Sequence, residues 1–149
     1  MAGSLSISIM LSVLLNNNLN AQSGSVKTNE TVSTVGYFDR GDTIEFVFGQ
    51  QQTIRIGTVT VSLEKRINEI KEVNLAGDFN GWDPNATKYK MHKAGTLFRI
   101  KLAKATLGKT GELRRFKFVL NHKYWVEPPP HATNTEKGKD GNTNLTFTL

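Results

Sequence analysis

Apolar and polar residues alternate along most of the chain after residue 42, and a period of two predicts β-strands. The pattern is clearest where Phe98, Ile100 and Leu102 alternate with Arg99 and Lys101. It recurs in six other segments, at residues 43–48, 53–56, 59–63, 73–75, 116–120 and 145–149. Turns rich in Gly, Asn and Pro separate these segments. Short alternating strands between such turns predict an all-β protein, an antiparallel β-sandwich.

One segment has a different pattern. Residues 63–73 are rich in charge, with the runs Glu64-Lys65-Arg66 and Glu69-Ile70-Lys71-Glu72. A short helix and a connection between strands are both compatible with this stretch. We favour a strand or loop, because the segments on either side alternate.

The first 22 residues contain no charged side chain, and residues 5–15 are apolar with interleaved serines. A stretch of this length before a small-residue boundary is typical of a secretory signal peptide, here cleaved near Ala21. It is too short for a transmembrane helix. The start lacks Lys or Arg, which a signal peptide usually has; without cleavage the segment would be a disordered or amphiphilic tail. We therefore predict a leader at 1–22, a flexible segment at 23–36 and one β-sandwich domain at 37–149. The protein is expected to be exported, to the periplasm or outside the cell, and to have no membrane span.

The 149 residues include no cysteine, which excludes disulfides, thiolate metal sites and cysteine nucleophiles. The net charge of +6 is uneven, since residues 88–139 carry 13 basic and 3 acidic side chains. Such a segment can attract nucleic acid or another polyanion. The basic residues never form a run, however, and alternation places them on solvated strand faces. We expect no nucleic-acid partner.

Candidate catalytic residues are few. The carboxylate pairs Asp78 with Asp83 and Asp39 with Asp42 resemble the pairs that glycosidases use, but both lie in turns, where Asp serves the backbone. The three histidines, His92, His122 and His131, lack metal-ligand spacing and are expected in exposed loops. The sequence therefore predicts neither an enzyme nor a metal or other cofactor.

The aromatic turns are more informative. Trp82 follows the turn Asp78-Phe79-Asn80-Gly81, where an indole is difficult to bury on all sides. An exposed indole is a surface on which the apolar face of a sugar ring packs, although a Trp here can also cap the core. The neighbours Tyr124 and Trp125 point to opposite faces of a strand, so we expect one in the core and the other available.

Four blocks of the sequence carry a resemblance. The segment Val73-Asn74-Leu75-Ala76-Gly77-Asp78-Phe79-Asn80-Gly81-Trp82 resembles the opening motif of the family 48 carbohydrate-binding modules. These modules include the glycogen-binding domain of the AMP-activated protein kinase beta subunit and the N-terminal domains of isoamylase and branching enzymes. The other blocks are Phe116–Asn121, Tyr124–Pro128 and Gly141–Leu145, in the family's order. The resemblance covers residues 71–149.

The resemblance implies an immunoglobulin-like sandwich of the early-set type that binds α-1,4-glucans, as polysaccharide or maltooligosaccharide, without catalysis. By position, Trp82 would be a stacking platform, Lys117 a hydroxyl donor and Asn144 a hydrogen-bonding side chain. The second platform is either Tyr124 or, with a one-residue bulge, Trp125. Family members are often attached to enzymes, which implies a glycoside hydrolase as partner.

The sequence departs from the family in two places. Glu127-Pro128 replaces Asp-Pro, and the connection from Ala103 to Leu113 is longer than usual. Both changes lie where they can reshape the rim of the site. The alternative function is therefore an immunoglobulin-like module that contacts a protein and has lost sugar binding.

Overall fold

The computed structural model describes residues 35–149. The predicted leader and residues 23–34 of the predicted flexible segment lie outside the described residues. Packing begins by Val35, whose backbone N–H donates to Asn134 Oδ1 at 2.8 Å and whose carbonyl accepts from Asn134 Nδ2 at 3.0 Å. Val47 N–H donates to the carbonyl of Gly36.

Between residues 35 and 149 the chain is mainly strand, which confirms the predicted all-β class. The strands are β1 (Tyr37–Asp39), β2 (Thr43–Phe48), β3 (Thr53–Ile56), β4 (Val59–Ser62), β5 (Val73–Gly77), β6 (His92–Ala94), β7 (Leu97–Ala103), β8 (Leu113–Leu120), β9 (Tyr124–Glu127), β10 (Thr135–Lys137) and β11 (Thr143–Thr148). The helical pieces are α1 (Leu63–Arg66) and 3-10 turns at Ile67–Glu69, Thr87–Tyr89 and Lys104–Thr106.

Two antiparallel sheets face each other, as the sequence predicted. One has the order β1-β2-β7-β6, and the other has the order β10-β11-β8-β9-β3-β4, with β5 paired to β8. One hydrophobic cluster lies between them and combines inward residues from both. Strand β7 shows the alternation of inward and outward side chains: Phe98, Ile100 and Leu102 are buried, whereas Lys101 is exposed.

The preference for a strand or loop after residue 62 was wrong over residues 63–69, which are helical. The apolar residues Leu63, Ile67 and Ile70 are spaced by four and three, which is a helical period. Leu63 and Ile70 are 3% and 6% exposed, and Ile67 packs against the same core. Burial of this face against the sandwich therefore stabilises a helical turn in a charge-rich segment.

No helix in the described part of the chain is both long enough and apolar enough to cross a membrane.

Candidate functional site

The site lies at a fork in the larger sheet. Strand β5 pairs with one edge of β8, while the other edge is shared by β11 and β9. Leu145 of β11 faces Phe116, and Trp125 of β9 faces Val119. The two partner strands therefore separate beside Lys117, and their outward side chains surround the opening.

A groove of about 970 Å³ occupies this fork on the outer face of the sheet. Its lining residues are Ile56, Gly57, Trp82, Arg115, Lys117, Lys123, Trp125, Glu127, Gly138, Lys139, Asp140, Asn142 and Asn144. Four of the five residues singled out by the sequence, namely Trp82, Lys117, Trp125 and Asn144, thus lie together. Tyr124 is not among the lining residues.

The two indoles of Trp82 and Trp125 lie side by side. Their ring centroids are 6.5 Å apart and their planes are inclined by 35°. Both residues are half-buried, and neither belongs to the hydrophobic core. Each indole thus keeps exposed surface at the groove.

Tyr124 occupies the opposite face of β9, as strand alternation predicted. The expectation that one of the two neighbours is in the core was wrong, because Tyr124 is 43% exposed. It is the first residue of β9, directly after the turn at 120–123, where solvent reaches its ring. Lys123 Nζ lies 5.4 Å from the ring centroid.

The loop that carries Trp82 is stabilised by hydrogen bonds from the side chain of Asn80, within the loop itself. Asn80 Oδ1 accepts from Gly77 N–H at 2.9 Å, and Asn80 Nδ2 donates to Leu75 O at 3.0 Å. Gly81 and Trp82 then adopt left-handed backbone with φ of 64° and 61°. This conformation is rare for a bulky side chain, and such strain concentrates at functional sites.

A partly buried carboxylate, that of Asp78, orients the indole of Trp82. Its Nε1–H donates to Asp78 Oδ1 at 3.2 Å. Asp78 also accepts from the backbone N–H, Nε and Nη2 of Arg115 at 2.9–3.0 Å. Burial alone would raise the pKa of Asp78, but the hydrogen bonds from Arg115 and Trp82 outweigh it and lower the pKa. Asp78 is therefore ionised at neutral pH, and Arg115 neutralises it.

Lys117 lies at the floor of the groove with 4% of its surface exposed. Its Nζ donates to Glu127 Oε1 at 2.9 Å, across the fork between β8 and β9. A buried ammonium needs such a partner, because desolvation of a lone charge is costly. Glu127 therefore neutralises the lysine and leaves its other N–H groups as donors.

Asn144 adds an amide to the same floor. It is 6% exposed, and one step along β11 from the Leu145–Phe116 pair places it beside Lys117. Its side chain lines the groove, so its amide can contact a polar ligand there.

The basic segment is partly neutralised in space. Six cations of residues 88–139 form ion pairs, four of them with acids that precede residue 88 in the chain. The pairs are Lys90–Glu72, Arg99–Glu45, Lys104–Asp39, Arg114–Glu112, Arg115–Asp78 and Lys117–Glu127. These ion pairs therefore offset part of the positive charge of residues 88–139.

The carboxylates of Asp83 and Asp39, which the sequence places in turns, accept backbone hydrogen bonds, and Asp39 also pairs with Lys104. Asp83 accepts from Asn85 N–H at 2.8 Å, and Asp39 accepts from Gly41 N–H at 2.9 Å. Within the described residues, no group of three or more His, Asp or Glu side chains is placed to hold a metal ion.

The sequence analysis did not assign several groove residues. Arg115 lies two residues before Lys117 in an alternating strand, so the period of two was a signal that could have found it. Ile56 and Gly57 reach the groove because β3 pairs with β9, where Ile56 faces Val126. No local pattern indicates a contact between positions so far apart in the chain.

A scan against models of known protein families finds none that matches this sequence. A search of curated proteins likewise finds no significant match.

Proposed function

We propose that the groove binds an α-1,4-glucan chain, without catalysis, by stacking sugar rings on Trp82 and Trp125. The observation that carries this proposal is the indole pair beside a polar floor, with ring centroids 6.5 Å apart. Aromatic faces pack on the apolar faces of sugar rings, and a few placed polar groups then fix orientation. The resemblance to family 48 carbohydrate-binding modules supports the same assignment for Trp82, Lys117 and Asn144.

The inclination of the indoles favours a curved ligand. Their planes differ by 35°, and successive rings of an α-1,4-glucan turn along a helix, whereas a β-1,4-glucan is a flat ribbon. On the floor, Lys117 supplies N–H donors and Asn144 supplies both a donor and an acceptor for hydroxyl groups. Of the two aromatic neighbours in β9, we assign the second platform to Trp125.

Affinity electrophoresis in gels that contain glycogen tests the proposal. We expect retarded migration with glycogen or soluble starch, and none with a β-linked glucan of equal viscosity. Trp125→Ala should abolish the retardation, whereas Tyr124→Ala is the matched control on the opposite face and should keep it. Equal retardation by both polymers, or loss with Tyr124→Ala alone, would contradict the proposal.

Salt separates this function from the alternatives. Stacking on a neutral glucan should change little between low and high salt, whereas polyanion binding weakens steeply. A groove that binds no glucan at any salt concentration would favour the alternative of a protein-contacting module. Export and a partner glycoside hydrolase remain predictions from the sequence.

A further inference from the structure

The larger sheet ends in an uncharged strand, β4. Four of the described strands, β1, β4, β6 and β10, stand at the ends of the two sheets. The other three carry charged side chains, with Asp39 in β1, Lys93 in β6, and Glu136 and Lys137 in β10. Charges, lysine above all, protect an edge strand from pairing with another chain. Strand β4 lacks this protection, because its sequence is Val59-Thr60-Val61-Ser62.

The residue types and the exposure of β4 also suit pairing. Valine and threonine are branched at Cβ and favour strands. The side chain of Val59 is 62% exposed, and Thr60 is exposed as well. The two-residue turn Gly57-Thr58, in which Gly57 has φ of 59°, holds β4 in register with β3. Strand β4 therefore presents a formed backbone edge and an apolar side chain to solvent.

Strand register assigns the side chains of β4 to the two faces of the sheet. Val59 and Val61 lie on the inner face, because Val61 is opposite a buried residue of β3. Thr60 is opposite Arg55, which in turn is opposite Glu127 of β9. Thr60 therefore lies on the outer face, as the groove does, but it is not among the residues that line the groove.

We propose that β4 pairs antiparallel with β4 of a second copy of this chain, with Thr60 opposite Thr60 of the partner subunit. The two-fold axis of such a pair is perpendicular to the sheet, so each side chain stays on its own face. Opposite residues share a face, and this register places Val59 opposite Val61 of the partner subunit. A register centred on Val61 would instead bring Val59 opposite Leu63, where α1 begins.

The pairing closes at two copies. Strand β3 occupies one edge of β4, so each copy has one free edge there. An assembly that uses the same strand from both copies is isologous and does not propagate. A strand of four residues buries less than the roughly 1,200–2,000 Å² of a stable interface. We therefore expect a weak pair that forms at high concentration or when both copies are bound to one polymer.

The pair would carry two grooves on one continuous sheet. Strands β3 and β4 of each copy separate the two β9 strands, which makes five strand spacings, or about 24 Å. Sheet twist turns the two grooves by roughly 100° relative to each other. A short oligosaccharide therefore occupies one groove, whereas a branched glucan such as glycogen can reach both. This consequence rests on the proposed function, but the pairing itself does not.

Sedimentation velocity of the full chain measures the pairing without a ligand. We expect the wild type to change from one copy to two as the concentration rises to about 1 mM, the range of a weak contact. Thr60→Lys brings two ammonium groups opposite each other, and Thr60→Glu brings two carboxylates, so each variant alone should stay monomeric. An equimolar mixture of the two variants should pair, because unlike charges then meet.

Control variants separate pairing from folding. Thr135→Lys makes the same change at an exposed position of β10, the opposite edge of the same sheet, and should pair as the wild type does. Thr60 is exposed, so the melting temperatures of its variants should stay close to that of the wild type. Val59→Lys is the second variant if Thr60→Lys does not fold.

Glycogen retention measures the consequence for glucan. Two grooves on one polymer gain from effective concentration, so glycogen should retain Thr60→Lys about tenfold or more weakly than the wild type. The affinity of Thr60→Lys for maltotetraose, titrated by tryptophan fluorescence, should equal that of the wild type, because one groove is sufficient.

Each outcome is decisive. A wild type that stays monomeric at the highest concentration, growth beyond two copies, or a mixture of the two Thr60 variants that does not pair overturns the proposal. Pairing that Thr135→Lys abolishes and Thr60→Lys keeps overturns it as well. Pairing in a protein that binds neither maltotetraose nor glycogen supports the proposal and refutes the proposed function. Equal glycogen retention by a paired wild type and monomeric Thr60→Lys refutes the consequence for glucan.

Discussion

Asp78 and Trp82 are joined by a hydrogen bond of 3.2 Å from the indole N–H to the carboxylate. The same carboxylate is held by three donors of Arg115 on β8. The orientation of an indole at the groove therefore depends on a charged pair that links its loop to the sheet.

Asp78→Asn should destabilise the protein by about 1–3 kcal/mol at pH 7, because it weakens charge-assisted hydrogen bonds of a partly buried group. The folded-state pKa of Asp78 is lowered. Its contribution is therefore present above the ordinary Asp pKa of about 3.9 and is lost as pH falls through the folded pKa. Urea denaturation at pH 7, 5, 4 and 3 should show the two proteins converging in acid. Asp83→Asn, which affects one turn contact, is the control and should remain close to the wild type; a constant difference for Asp78→Asn at all pH values would contradict the linkage.

Substitutions of Trp82 should separate the ring from its hydrogen bond. Trp82→Phe keeps an aromatic face and should retain part of the glycogen affinity, whereas Trp82→Ala should lose about 2 kcal/mol, roughly thirtyfold. Because φ is 61°, Trp82→Gly should be about 1 kcal/mol more stable than Trp82→Ala. Thermal melts and gel retardation on the same proteins measure both effects. Full retention by Trp82→Ala would exclude this indole as a platform.

The Lys117–Glu127 pair should behave as a coupled unit. Glu127→Gln alone leaves an ammonium that is 5% exposed without its counter-charge, and should cost about 3–5 kcal/mol. Adding Lys117→Met removes that charge and should recover much of the loss. A double-mutant cycle measures this coupling, from the free energies of unfolding in urea of the wild type, the two single variants and the double variant. Additive effects would show that the pair is not coupled.

Two glycines of the Trp82 loop should respond differently to alanine. A Cβ at Gly77 would lie 2.3 Å from the carbonyl oxygen of Arg115, so Gly77→Ala must displace β5 from β8. We expect the free energy of unfolding to fall by about 1–3 kcal/mol and glycogen retention to be lost. A Cβ at Gly81 would lie within 4 Å of no atom, so Gly81→Ala should lose only about 1 kcal/mol of stability, because alanine is strained at this left-handed φ. Equal melting temperatures for the two variants would contradict this account.

Much of the fold could be predicted from the sequence, because the alternation of apolar and polar residues within each strand indicates which side chains are buried. Phe116 and Phe118 point inward and Lys117 points outward for the same reason that alternate side chains occupy opposite faces of any strand. The helical segment at 63–69 was missed because the apolar residues Leu63, Ile67 and Ile70 are scattered among charges. Their burial depends on a core that the rest of the chain supplies.

The candidate site divides in the same way. Three of its features could be predicted from local backbone geometry: Trp82 leaves a tight turn, Lys117 faces outward, and Tyr124 and Trp125 lie on opposite faces of a strand. Three contacts depend instead on the folded chain: Trp125 lies beside Trp82, Glu127 neutralises Lys117, and the ring of His122 lies between Glu72 and Pro84. These contacts join segments that are distant in sequence, and strand register and the fork of β8 bring them together.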